Sequence, residues 1–93
     1  MKIQLNVPEW GDKIYYIDIN SKEKKIDIKQ GNFVGVLISF NECVYEIVDS
    51  YDQKKHAVMR DWCSKSLKTV TLIANNMLLA INANNGWEAL EDL

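Results

Sequence analysis

From Lys2 to Met59, β-branched, aliphatic and aromatic residues fall in several short runs separated by turn residues. Runs of that length and composition, some alternating with polar residues, are suited to the strands of a sheet and not to a helical bundle. Ile3, Leu5 and Val7 alternate with Lys2, Gln4 and Asn6. Pro8 ends this first strand because it has no N–H for a ladder. Trp10-Gly11-Asp12 makes a turn. In Lys13–Ile19, Tyr15, Ile17 and Ile19 share one face, and Ile14, Tyr16 and Asp18 the other. Asn20–Lys24 is a polar hairpin loop. Ile26 and Ile28 mark a short returning strand, which Gln30-Gly31-Asn32 is expected to break. Phe33–Phe40 is apolar on both faces and reads as a central strand, with Gly35 allowing a bend or bulge. Asn41-Glu42 turns the chain into a strand over Cys43–Val48. Asp49–Gln53 is a turn, and Lys54–Met59 an edge strand whose lysines discourage further pairing. Arg60–Lys65 is expected to be a loop holding Trp62 and Cys63.

The C-terminal part carries two conflicting signals. Val70, Ile73, Ala74, Met77, Leu78 and Ile81 recur at helical spacing behind a capping residue, Ser66. Thr69-Val70-Thr71-Leu72-Ile73 has strand propensity, and Asn75-Asn76 has the chemistry of a turn. We read a strand over Lys68–Ile73 and a helix over Asn75–Ala83, stopped by Asn84-Asn85-Gly86, with one more helical turn over Trp87–Leu93. The division expected is therefore a β-rich 1–73 and a helical 75–93 within one domain. The fold class is mainly β (α+β): a small antiparallel barrel or bent sheet, with the helix packed across an open end.

With 93 residues, a domain buries only about 60–65% of the surface its unfolded chain exposes, so a dense core or self-assembly is needed. The net charge of −2 lacks the basic excess of a nucleic-acid binder. No apolar run approaches the ~20 residues that span a bilayer, and no signal segment is visible. Cys43 and Cys63 are too few for a disulfide framework. A cytoplasmic protein with free thiols is expected.

The run Gly11-Asp12-Lys13-Ile14-Tyr15-Tyr16-Ile17-Asp18 resembles the opening of small SH3-like barrel proteins of phages and mobile elements of Gram-positive bacteria. In those, a Gly-Asp-x-aliphatic-Tyr strand is followed by a glycine-containing segment and a second aromatic strand. Gln30-Gly31-Asn32-Phe33-Val34-Gly35-Val36 and Val44-Tyr45-Glu46-Ile47-Val48 fill those places, so the likeness spans roughly residues 10–49. The tail departs from it: Asn75-Asn76-Met77-Leu78-Leu79 stands where such proteins carry a charged helix. The resemblance implies an SH3-like fold and a phage setting, with the host cell's cytoplasm as location. It carries over no functional residue.

Little in the chain suggests catalysis. Cys43, His56 and Cys63 do not form the close pairs that structural zinc requires, so no metal is expected. A Cys–His nucleophile pair would need an oxyanion hole that nothing in the sequence marks, and no phosphate-binding glycine motif is present. We read the chain as a non-enzyme without cofactors. Trp10, Tyr51 and Trp62 sit in expected turns, where aromatics either cap a barrel or anchor a partner. Tyr16, Lys54, Lys55 and Arg60 complete the candidate binding set. Leu72, Met77, Leu78, Leu79 and Ile81 cover more than one helix face, which points to a homo-oligomer interface or a segment buried on both sides. The functional expectation is a phage interaction protein that binds and blocks a host protein or complex, as an anti-defence inhibitor would. The alternatives are an oligomeric sponge for a small signalling nucleotide and a weak single-stranded nucleic-acid binder, the latter disfavoured by charge.

Overall fold

A computed structural model describes residues 8–39, 41–84 and 86–87. The expected strand over Lys2–Val7, Phe40 and most of the terminal helical turn lie outside the described residues. Five antiparallel strands form one sheet in the order β4-β3-β2-β1-β5: β1 Lys13–Asn20, β2 Lys25–Ser39, β3 Glu42–Asp49, β4 Lys55–Met59 and β5 Cys63–Ser64. A 3₁₀ turn, Arg60–Trp62, carries the chain from β4 to β5, and one helix, α1, spans Leu67–Ala83.

The expected break at Gln30-Gly31-Asn32 is absent. β2 is one strand of 15 residues. Its first half pairs with β1 and its second half with β3, and the register shifts between Phe33 and Gly35. The bulge lets one strand serve both halves of a bent sheet. Gly31 marks a close approach and not a turn. A Cβ there would stand 2.4 Å from the Val48 carbonyl oxygen and 2.6 Å from Ile47 Cγ2.

The expected loop over Arg60–Lys65 contains the 3₁₀ turn and β5, whose Cys63 and Ser64 pair with Tyr16 and Tyr15. A two-residue ladder is too short to show a period in sequence. The expected strand over Lys68–Ile73 is helical. Ser66 caps the helix, its Oγ accepting from the Thr69 N–H at 3.3 Å. Thr71 satisfies its hydroxyl on the Leu67 carbonyl at 2.7 Å. The cap and the burial of Val70 and Ala74 outweigh the β-branched propensity of Thr69–Thr71. α1 ends at Ala83 with Asn84 as its C-cap, within the expected stop, and Gly86 and Trp87 are helical again.

Two apolar clusters lie on opposite faces of β1. Ile14 and Tyr16 join Phe33, Tyr45, Ile47 and Val58 inside the bend of the sheet. Ile17 joins Val70 and Ala74, with Tyr15, Ile19, Ile26, Ile28, Ile73 and Met77 packed around them. The helix therefore covers the opposite face of β1 and does not cross an open end. β1 is buried on both sides because every position from Ile14 to Ile17 is aliphatic or aromatic. Trp62 packs against both clusters and joins them.

Of the expected oligomer residues, Met77 points into the second cluster, and Leu78 and Ile81 are half-buried. Leu72 and Leu79, one heptad apart, stay exposed on the outer helix face. No helix among the described residues is long and apolar enough to cross a membrane.

Candidate functional site

The β3–β4 turn, Ser50–Lys54, is the most heavily tied loop among the described residues. Asp49, 3% exposed, accepts through Oδ1 from the N–H groups of Tyr51 at 2.7 Å and Asp52 at 3.0 Å. Its Oδ2 accepts from the Tyr16 hydroxyl. Asp52 accepts from the Lys54 N–H at 2.8 Å and meets His56 Nε2 at 2.9 Å. The Ser50 N–H donates to the Gln30 carbonyl at 2.9 Å, pinning the turn to β2. Gln53, at φ 58°, closes the loop with its N–H on the Asp49 carbonyl at 3.0 Å and its side-chain amide on the Ser50 carbonyl at 2.9 Å.

This network sets the charge states. Burial pushes the Asp49 pKa up, but the Tyr16 hydroxyl, the Asp52 and Tyr51 amides and nearby His56 outweigh it and hold the carboxyl below 3.8. Burial first, then the bond to Asp49, raises the Tyr16 phenol well above its ordinary range. The Lys54 amide, with help from His56, keeps Asp52 ionised below its ordinary value. The arrangement has the membership of a proton relay, yet each carboxylate is committed to the turn.

Tyr51 is the aromatic side chain of the turn and stands outside, 97% exposed. It borders a groove of about 550 Å³ whose floor and walls include Tyr15, Ile28, Lys29, Gln30 and Leu67. Lys13 Nζ lies 5.2 Å from the centre of the Tyr15 ring, within range of a cation–π contact. Lys29 is held on Asp18 at 2.9 Å.

Sequence reasoning singled out Tyr51 and missed Tyr15, Ile28, Lys29 and Leu67. These come together only through the β1–β2 register and the start of α1. The remaining expected binding residues do not converge here. Tyr16 is buried in the first cluster, because Asp49 takes up its hydroxyl; it is a core residue and not a surface one. Trp62 joins the two cores and borders a second cleft with Tyr16. Trp10 is 77% exposed in its own turn. Lys54 is exposed, Lys55 pairs with Glu46 at 3.1 Å, and Arg60 borders a third cleft beside Cys63. Tyr16, Tyr51, Trp62, Lys54, Lys55 and Arg60, the residues expected to line nucleotide pockets between subunits, are dispersed over the single chain.

No cluster of three or more His, Cys, Asp or Glu side chains among the described residues is arranged to hold a metal. Cys63 donates its thiol to the carbonyls of Arg60 at 3.4 Å and Met59 at 3.6 Å. Burial, then the charges of Asp61 and Cys43, pushes its pKa up to about 11. Only a thiolate attacks, so alkylation of Cys63 by iodoacetamide at neutral pH should run roughly a hundredfold slower in the folded chain than in urea. Mass spectrometry of the Cys63 peptide after timed quenching reads that ratio; equal rates would contradict the packing described. Compared with protein-family models, with curated proteins and with solved structures, the chain matches none.

Proposed function

We propose that the chain is a non-enzymatic interaction protein of phage or mobile-element origin that binds a host protein through the turn carrying Tyr51. One observation supports this above the rest: Tyr51 is 97% exposed on a turn fixed by the side chains of Asp49, Asp52 and Gln53. An aromatic held out on a rigid loop loses little conformational entropy on docking, which favours affinity. The neighbouring groove supplies apolar surface from Tyr15, Ile28 and Leu67. The mechanism is steric cover of a partner's working surface, as an anti-defence inhibitor would use.

The fold half of the reading is an SH3-like small barrel. The strand order β4-β3-β2-β1-β5, the long bulged β2 and the 3₁₀ turn leading into a short β5 are in keeping with it.

The test is a photo-crosslinking amino acid at position 51, with the same group at Lys24 as control, in protein expressed in a Gram-positive host. A single host protein should cross-link from position 51 and not from position 24. Tyr51→Ala should weaken capture of that protein by about thirtyfold, the size of a binding hot spot of ~2 kcal/mol. A partner held equally well by Tyr51→Ala would remove the groove from this reading.

A further inference from the structure

The bent sheet stops short of closing, and its two open edges border one slot. β5 pairs with β1 only at Tyr15 and Tyr16. Beyond them the outer edge of β1, Ile17–Asn20, has no strand partner among the described residues. β4 is the other end of the sheet, bonded on its β3 side alone among the described residues. Ile17, Asp18 and Ile19 from the first edge and His56–Met59 from the second line a slot of about 380 Å³, with Trp62 beside them. Backbone N–H and C=O groups along such edges are obligatory hydrogen-bonding groups that a further strand can satisfy. At ~3.3 Å per residue, edges of this length take roughly four residues of extended chain.

The slot also has a charge preference. Asp18 lines it, Asp49 accepts from the hydroxyl of Tyr16, which lines it too, and Asp52 adds negative charge near that hydroxyl. Against these three carboxylates stand Lys29, on Asp18 at 2.9 Å, and His56, on Asp52 at 2.9 Å. The apolar walls from Ile17, Ile19, Val58 and Met59 suit β-branched side chains.

We propose that this slot is a strand-addition site, and that its occupant is an extended segment of a partner protein with alternating β-branched residues and a lysine or arginine near Asp18. Backbone pairing supplies affinity and the alternate side chains supply selection. A proline-rich segment is the wrong occupant, because proline has no N–H to give either edge. The inference goes beyond the Tyr51 reading. The slot and the Tyr51 groove share no lining residue, although Lys29, Asp49 and Asp52, which shape the slot's charge, border the groove; protection at the two strand edges and protection at the turn are read separately.

The test is selection of random linear peptides on the immobilised full chain, followed by amide hydrogen exchange on the free and peptide-bound protein. Enriched peptides should alternate β-branched residues with at least one basic residue. They should protect the amides of Ile17–Asn20 and Lys55–Met59. Methylating one backbone nitrogen of the peptide that bonds an edge should weaken binding about tenfold. Ala57→Pro on the exposed edge should weaken it comparably. Because that substitution also touches the β3 ladder, the methylated peptides are the decisive arm. Four outcomes overturn the proposal. Enriched peptides are proline-rich, or protection falls on the Tyr51 turn. Alternatively, the free chain already protects both edges at every concentration, filled by its own segment. Or protection appears with rising protein concentration alone, filled by a second copy.

Discussion

Gly31→Ala is expected to destabilise the fold by about 3 kcal/mol, the upper end of the usual cost of overpacking. A Cβ at position 31 meets the Val48 carbonyl oxygen at 2.4 Å and the Val48 carbonyl carbon at 2.9 Å. Those are backbone atoms of β3, so the clash cannot be relieved by rotating a side chain. β3 must move away from β2, and Ile47, fully buried in the first cluster, moves with it. For a domain of this size the melting temperature should drop by something on the order of 15 °C. Gly35→Ala is the control. Its Cβ would meet only Glu46 Oε1, at 3.9 Å, so a change within about 0.5 kcal/mol is expected. Thermal melts of the two variants side by side separate a close backbone approach from a general intolerance of β2 to substitution. Equal losses would rule out the close approach as the reason for Gly31.

The second large effect lies at Asp49. Asp49→Ala should cost about 3 kcal/mol, since it strands the buried Tyr16 hydroxyl and releases the amides of Tyr51 and Asp52. Tyr16→Phe removes only the one bond and should cost about 1 kcal/mol. Asp49 also makes stability depend on acid. Its folded pKa is held below the 3.8 of an ordinary aspartate. A carboxyl with a depressed folded pKa contributes stability that is fully present above the unfolded value and disappears as pH falls through the folded one. The wild-type urea midpoint should therefore fall steeply once pH passes below 3.8. The Asp49→Ala midpoint should start lower and fall less over the same range. Parallel slopes for the two proteins would mean that Asp49 is not the group being titrated.

Much of the sheet is legible from sequence, and the reason is local. β1 and β3 are dense in β-branched and aromatic residues, β4 is a short run behind lysines, and their connecting turns carry their own polar chemistry. What escaped the sequence reading depends on residues far apart in the chain. Gly31 looks like a breaker until Val48 is beside it. Tyr16 looks like a surface aromatic until Asp49, 33 positions away, accepts its hydroxyl. Val70 looks like a strand residue until Ile17 buries it. The candidate groove shows the same division. Tyr51 announces itself as an aromatic in a turn, whereas Tyr15 and Leu67 join it only through folding. The chemistry of the Asp49–Asp52–His56 turn could have been read as a dense cluster of Asx-turn formers, Asp49, Ser50 and Asp52, in sequence.

The strand order carries a consequence for how the chain folds. β1, β2, β3 and β4 are consecutive hairpin partners, so each ladder forms by closing a short loop. β5 instead returns to β1, and α1 docks on that same strand. Those last contacts carry the larger loop-closure entropy, and they depend on sequence that follows every other strand. A growing chain can thus complete its four-strand meander before β5 and the helix exist. In the finished protein the β1 seam is then where the first opening under denaturant should begin, with Trp62, lodged between the two cores, as its natural fluorescent reporter.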